Sequence, residues 1–175
     1  NAEVMPSQWE FQIGYRGVSD EKADPLTCSD HLWIGRWLLH RVAEDHGVVV
    51  SPDNKPVKGD WNGAGAHTNF STKSMRDPKT GIATIENFIA SLKARHQKHI
   101  TNYGAGLADR LTGHHETCDI NTFRAGPNDR GASVRIPNNV AELKCGYIED
   151  RRPGANCDPY VVSALLFEAM MESQK

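Results

Sequence analysis

Residues 146–160 read GYIEDRRPGANCDPY, and two different kinds of structure meet inside that stretch. The first half is a strand candidate that runs over 145–151. Side chains alternate along a strand, so Tyr147, Glu149 and Arg151 share one face and Ile148 takes the other. The second half ends the extended chain and opens a helix. Asp158 is a cap whose side chain can accept main-chain N–H bonds, and Pro159 follows at the first helical position, where a missing N–H costs nothing. That last helix is expected to reach about Glu172.

Working outward gives the rest of the fold. Residues 130–137 alternate and predict a strand, as do residues 66–72. Val48-Val49-Val50 predicts a short buried strand. Near the start, Gln8, Glu10 and Gln12 alternate with Trp9, Phe11 and Ile13, which predicts a strand with one wet and one buried face. Residues 15–29 read as a polar insertion. A helix is expected from about Asp30 to Gly47, carrying Trp33, Trp37, Leu38 and Val42. A second is expected over 82–103, with Ile85, Phe88, Ile89 and Leu92 inward and Lys93, Arg95, Lys98 and His99 on a solvated side. Residues 51–65 and 104–129 read as loop and irregular chain. Strands mixed with three helices, without a regular strand–helix repeat, predict an α+β fold: a curved, mainly antiparallel sheet with flanking helices.

The chain has 175 residues and a net charge of −2. This is enough for one domain with a core, and it gives no general pull toward nucleic acid or an anionic membrane. No apolar run approaches a membrane span. Cys28, Cys118, Cys145 and Cys157 show neither zinc nor disulfide spacing, which suits thiols in a reducing compartment. The opening Asn1-Ala2-Glu3 has no leader character and starts inside a strand-like pattern, so a longer protein is expected upstream.

Several groups invite chemistry. A phenol, a carboxylate and a guanidinium on one sheet face are costly to bury unless they serve each other or a ligand. Taken alone, Tyr147, Glu149 and Arg151 read as a surface strand with a salt-bridged face. Arg110, Arg130, Arg135, Arg151 and Arg152 suit capture of carboxylate or phosphate. Arg130 and Arg135 have odd separation, so both reach one site only through a bulge or a strand end. In residues 60–69, DWNGAGAHTN, two glycines allow close backbone approach and a strand carrying His67 follows. With Glu3, Glu10 and Glu149 as partners, His67 would suit Mg²⁺ or Mn²⁺. Residues 114–116, His-His-Glu, lack zinc-protease spacing and sit in a loop.

Five blocks together carry a resemblance: NAEVMPSQWEFQIG at 1–14, GDWNGAGAHTNFSTKSMR at 59–76, RLTGHHET at 110–117, DRGASVRIP at 129–137 and GYIEDRRPGANCDPY at 146–160. In this order they resemble the glutamine synthetase family, eukaryotic type. HITNYGAGLADRLTG at 99–113 and DINTF at 119–123 look most like its plant or algal branch. The resemblance implies ATP-dependent ligation of ammonium to L-glutamate through γ-glutamyl phosphate. It implies ATP and two or more Mg²⁺ or Mn²⁺ ions, and a homo-oligomer, a decameric double ring. A cytoplasmic or plastid location follows from the same likeness.

Residue by residue, the resemblance implies these roles. Glu3 and Glu10 match ligands of one metal, and His67 and Glu149 match ligands of the metal that bridges the ATP phosphates. Asn69, Ser71, Arg76, Arg135 and Tyr147 match nucleotide contacts. Trp61, Asn62 and Gly63 match the wall around glutamate, and Arg110 and Arg151 match groups that hold its carboxylates. Arg130 matches the group that stabilises the transferring phosphoryl. Glu116 matches a flap carboxylate that helps bind and deprotonate ammonium.

There are departures. The family's small N-terminal β-grasp domain and the start of the catalytic domain, with further metal ligands, have no counterpart in these residues. Tyr15 stands where many relatives have Pro, and 18–29 is longer than usual. The strand pattern puts Glu3 and Glu10 on opposite faces, with Pro6 as a break that can re-aim one of them. The 175 residues alone are therefore expected to be inactive. Competing readings are a non-catalytic relative with a structural role and a γ-glutamyl ligase for a larger amine.

Overall fold

A computed structural model describes residues 1–14 and 22–174. Tyr15 and residues 18–21 of the expected insertion lie outside the described residues. The centre is a four-stranded sheet in the order β1-β4-β3-β2, formed by β1 (Thr68–Phe70), β2 (Ala125–Pro127), β3 (Val134–Ile136) and β4 (Ile148–Asp150). β4 pairs antiparallel with both β1 and β3, and β2 pairs parallel with β3. The fold is α+β, as expected, and the sheet is open.

One face of the sheet is apolar, with Phe70, Val134 and Ile148 on it. Against it lie α3 (Gly81–Ala94), with Ile85, Phe88 and Leu92 fully buried, and α6 (Pro159–Glu172), with Leu166 and Met170 buried. Phe70 and Phe88 meet with ring centroids 5.3 Å apart. Each such side chain contributes roughly 1.5–3 kcal/mol on full burial, so this face fixes which way the strands turn. The opposite face is left to polar residues.

The cap at Asp158 forms as expected, accepting from Tyr160 N at 2.9 Å. The same device starts α1 (Pro25–Asp45), where Asp24 accepts from the N–H groups of Leu26 and Thr27 at 3.0 Å. The helix expected from Asp30 therefore begins five residues earlier, at an Asp-Pro pair of the same kind. The single helix expected over 82–103 is two, α3 and α4 (His96–Asn102). They are broken where Arg95 leaves helical geometry at φ −106°, ψ 12°. Short helices α2 (Lys73–Arg76) and α5 (Asn138–Leu143) and a 3₁₀ turn at Leu107–Asp109 join them among the described residues.

Two expected strands do not form. Residues 8–13 make a single bridge, Ala2 to Trp9, because the chain turns back at Pro6-Ser7, with Ser7 at φ 62°. Folded on itself, the segment adds no ladder to the sheet, and Trp9 is 78% exposed. Val48–Val50 leaves α1 over the surface without a strand neighbour, and Val49 is 94% exposed. β2 lies within the stretch expected to be irregular. The solvated side expected for the second helix holds for Lys98, which pairs with Glu168 at 2.7 Å. It fails for His99, which is fully buried.

Candidate active site

Strand register builds the polar face. Asn69 stands opposite Glu149, and Glu149 stands opposite Arg135, so the three form one row across β1, β4 and β3. Period-two alternation adds His67 and Arg151 to the same side. The surface strand that the pattern at Tyr147, Glu149 and Arg151 suggested is in fact buried: Glu149 is 8% and Arg151 6% exposed. Tyr147 packs half-buried against the core.

Glu149 is the hub. Arg135 Nε lies 2.6 Å from Oε2, Arg151 Nη1 donates to Oε1 at 3.2 Å, and His67 Nδ1 is 3.4 Å from Oε1. Burial works against ionisation of this carboxyl. The hydrogen bond from His67 and the charges of Arg151 and Arg135 outweigh it and hold the pKa at about 2. Solvent reaches 37% of the His67 side chain. Desolvation, with Arg151 and Arg110 nearby, pushes its pKa down, so the imidazole is neutral at pH 7.

Arg110 lies under this group, 5% exposed. Its Nη2 donates to Arg151 O and to His67 Nε2, each at 3.0 Å, and Nη1 leans on the carbonyls of Arg152 and Pro153. A guanidinium can only donate, so His67 carries its proton on Nδ1, toward Glu149. Gly63 and Gly65 make room for it: a Cβ on either would stand 2.6 Å or 2.2 Å from Arg110 atoms. The resemblance gives Arg110 to a substrate carboxylate. Here its donors face the main chain and His67, and it anchors the site from below.

The loop bearing Glu116 is a tight turn. Thr117 N bonds to His114 O at 3.1 Å, and the central residues His115 and Glu116 both have left-handed backbone, φ 51° and 59°. His tolerates that region but Glu does not favour it, so the turn holds strain at Glu116. Thr117 Oγ1 clamps it, donating to His114 O at 2.7 Å. Glu116 Oε1 is 3.6 Å from Arg130 Nη1, Arg151 Nη2 donates to Glu116 O at 3.2 Å, and His115 Nε2 is 2.9 Å from Asp60 Oδ1. Arg130 lies just before β3 rather than in it, so the odd spacing to Arg135 is resolved by a strand end. Between this loop and residues 55–63 is a cleft of about 370 Å³, lined by Lys55, Trp61, Gly63, Arg110, Thr112 and His115 among others.

The turn at Pro6-Ser7 brings Glu3 and Glu10 together. Burial and a hydrogen bond with Glu10 raise the pKa of Glu3. Bonds from Gln12 and Glu3 hold that of Glu10 down. Two carboxyls held close to one another are a pair whose mutual repulsion a cation relieves. Among the described residues no group of three or more His, Cys, Asp or Glu side chains converges as a metal-binding set. The candidate ligands stand as two pairs, Glu3 with Glu10 and His67 with Glu149. Arg76 donates to Ser71 Oγ at 2.6 Å at the start of α2, and neither contacts the Glu149 group.

Behind β4 lies an array that reading by motif missed: Asp150 and Arg152, buried with His99 and Tyr103. The signal was available. The alternation that sends Glu149 and Arg151 outward sends Asp150 and Arg152 inward as an ion pair, and His99 and Tyr103 are one helical turn apart.

A family model described as glutamine synthetase, catalytic domain, matches residues 1–173. The chain is 56% identical to a glutamine synthetase of Streptomyces viridochromogenes over 96% of its own length and 47% of the relative's. It is 54% identical to the chloroplastic glutamine synthetase of Chlamydomonas reinhardtii (98% and 43%) and 56% identical to the glutamine synthetase of Mus musculus (93% and 43%). The chain thus spans about half the length of the curated relatives it matches. Bacterial, algal and animal relatives stand level, so the likeness singles out no plant or algal branch.

Proposed function

The chain belongs to the glutamine synthetase catalytic-domain family, and on that premise we propose that it provides part of the active site of an ATP-dependent ligase joining ammonium to L-glutamate. The observation that carries the reading is the Glu149 hub: a buried carboxylate kept ionised at a pKa of about 2, ringed by His67, Arg135 and Arg151. Such a cluster is expensive to desolvate, and it has the make-up of a phosphate- and cation-handling site.

The donor set fits divalent cations. His67 Nδ1 and Glu149 Oε1 are 3.4 Å apart, near the ~3 Å between adjacent ligands of a small divalent ion; an ion there would displace the Nδ1 proton to Nε2 and leave Arg110 Nη2 on the Arg151 carbonyl alone. Glu3 and Glu10, brought together by the turn at Pro6-Ser7, would hold a second ion. Mg²⁺ or Mn²⁺ held by these residues would supply charge neutralisation for the phosphates.

The protein's own groups act around this. Arg135, beside Glu149 and across from the Asn69 strand, would hold the nucleotide phosphates. Exposed Arg130 would swing onto the phosphoryl as charge builds there. The cleft beside Trp61 and Gly63 would seat glutamate, with Arg151 on its carboxylate. Glu116, held above Arg151 by the strained turn, would accept a proton from ammonium and so release the nucleophile. The turn would shield the acyl phosphate from water. A left-handed Glu on such a turn is a costly feature that a purely structural relative has no use for.

Assembly into a homo-oligomer belongs to the same proposal. It is supported by the apolar residues that α1 leaves exposed, Trp33, Ile34, Trp37, Leu38 and Val42. A location in cytoplasm or plastid belongs to the same proposal, on the likeness to the chloroplastic relative among others. The test is product formation by the protein purified from its native source. Glutamine and phosphate are expected in equal amounts, and only when glutamate, ammonium, ATP and a divalent cation are all present. Glutamine formation that persists without ATP, or none with all four, would overturn the reading.

A further inference from the structure

β4 and the residues after it alternate between two environments. Glu149 and Arg151 face the candidate site, while Asp150 and Arg152 point into the core, 0% and 1% exposed. Arg152 grips Asp150 with two donors, Nε to Oδ1 at 2.9 Å and Nη2 to Oδ2 at 2.7 Å. Its guanidinium lies 5.3 Å from the centroids of both the Tyr103 and the Phe123 ring. The Tyr103 hydroxyl donates to Asp150 Oδ2 at 2.9 Å and meets His99 Nδ1 at 2.6 Å. Tyr103 and His99 are fully buried. Arg152 Nη2 also comes within 3.3 Å of His99 Nδ1, so that nitrogen faces both the hydroxyl and the guanidinium, while Nε2 is buried without a partner.

Tyr103 holds the same segment a second time, since its main-chain carbonyl accepts from Gly154 N at 2.9 Å. One residue of α4's C-cap thus fixes a side chain at 150 and the main chain at 154. Between those points lie Arg151 and the carbonyls of residues 151–153 on which Arg110 rests. We propose that Tyr103, held by His99, is a positioning residue for the candidate site. Its hydroxyl sets the register and tilt of 149–152, so that Glu149 and Arg151 meet His67 and Arg135. The inference rests on the reading of Glu149 and His67 as cation ligands.

The test is Mn²⁺ titration followed by electron paramagnetic resonance, together with the melting midpoint, on the protein expressed as its complete open reading frame. Tyr103→Phe keeps the ring and removes the hydroxyl. It is expected to weaken Mn²⁺ binding about ten-fold, as loss of a group supporting a ligand does. Val162→Ala removes buried methyls from α6 and should lower the melting midpoint without moving affinity. His99→Asn loosens the hydroxyl from the other side and should weaken Mn²⁺ in the same direction, so a Tyr103→Phe protein that does not fold leaves a second test. Tyr103→Phe that binds Mn²⁺ like the parent would overturn the inference alone, as would Val162→Ala losing as much affinity. A parent protein that binds no Mn²⁺ would overturn the site reading with it.

Discussion

Two residues carry the account at the finest scale. Glu149 has a folded pKa of about 2 against an ordinary 4.5. A lowered carboxyl pKa contributes stability that is fully present above the unfolded value and lost as pH falls toward the folded one. The whole contribution is about 3 kcal/mol, of which about 2 kcal/mol should be gone by pH 3. Urea unfolding of the parent and Glu149→Gln at pH 6 and pH 3 checks this. The parent's advantage should shrink by about that amount, and equal pH slopes in the two proteins would refute it. Glu116, at φ 59°, is the second. Left-handed backbone costs a non-glycine residue about 1–2 kcal/mol, and glycine's own entropy loss offsets part of that. Glu116→Gly should therefore leave stability unchanged or raise it by up to about 1 kcal/mol while abolishing glutamine formation. A large fall in melting midpoint would mean that the turn is not strained. Neither property was legible in the sequence. Its alternation placed Glu149 and Arg151 on one face, but burial depends on what covers that face, and a positive φ leaves no mark on a His-Glu pair.

At the scale of elements, local chemistry was the readable part. Asp158-Pro159 announced α6; the same pair at Asp24-Pro25 starts α1 where the composition was read as an insertion. Asp24→Ala should lower the melting midpoint, with the loss of helix confined to α1 in hydrogen exchange. The failures share one cause. A strand is defined by its neighbour, and the alternation at 8–13 and the valines at 48–50 say nothing about whether a neighbour exists. β2 shows the converse: Ala125–Pro127 lacks strand pattern but pairs because β3 lies alongside. The glycines of 59–65 were readable as close approach, though not as approach to Arg110. Added to Gly63, a Cβ would stand 2.7 Å from the rigid carbonyl of Asn54 as well as 2.6 Å from Arg110. Gly63→Ala should destabilise by about 1–3 kcal/mol, measured by urea unfolding, and should weaken Mn²⁺ binding, since displacing Arg110 also moves His67.

Over the whole molecule, the sheet divides labour: its apolar face meets α3 and α6, and its polar face gathers His67, Arg135, Glu149 and Arg151 from three separate segments. The residues of that polar face were named from the sequence through family likeness, since no spacing within one segment predicts convergence across three. The molecule also shows an unfinished side. α1 exposes two tryptophans, with Trp37 61% open, and Val42 is 54% open; an apolar surface of this kind marks an interface. A polypeptide of these 175 residues alone should self-associate and make no glutamine. Sedimentation and product assay check both, and a monodisperse, active monomer would contradict the expectation. On the proposed function, a phosphoryl group passes onto the γ-carboxylate of glutamate before ammonium attacks. The most direct measurement follows oxygen-18 from the γ-carboxylate of labelled glutamate in a turnover by the protein from its native source. One labelled oxygen in each phosphate released is the expected result. Phosphate free of label while glutamine accumulates would contradict the account.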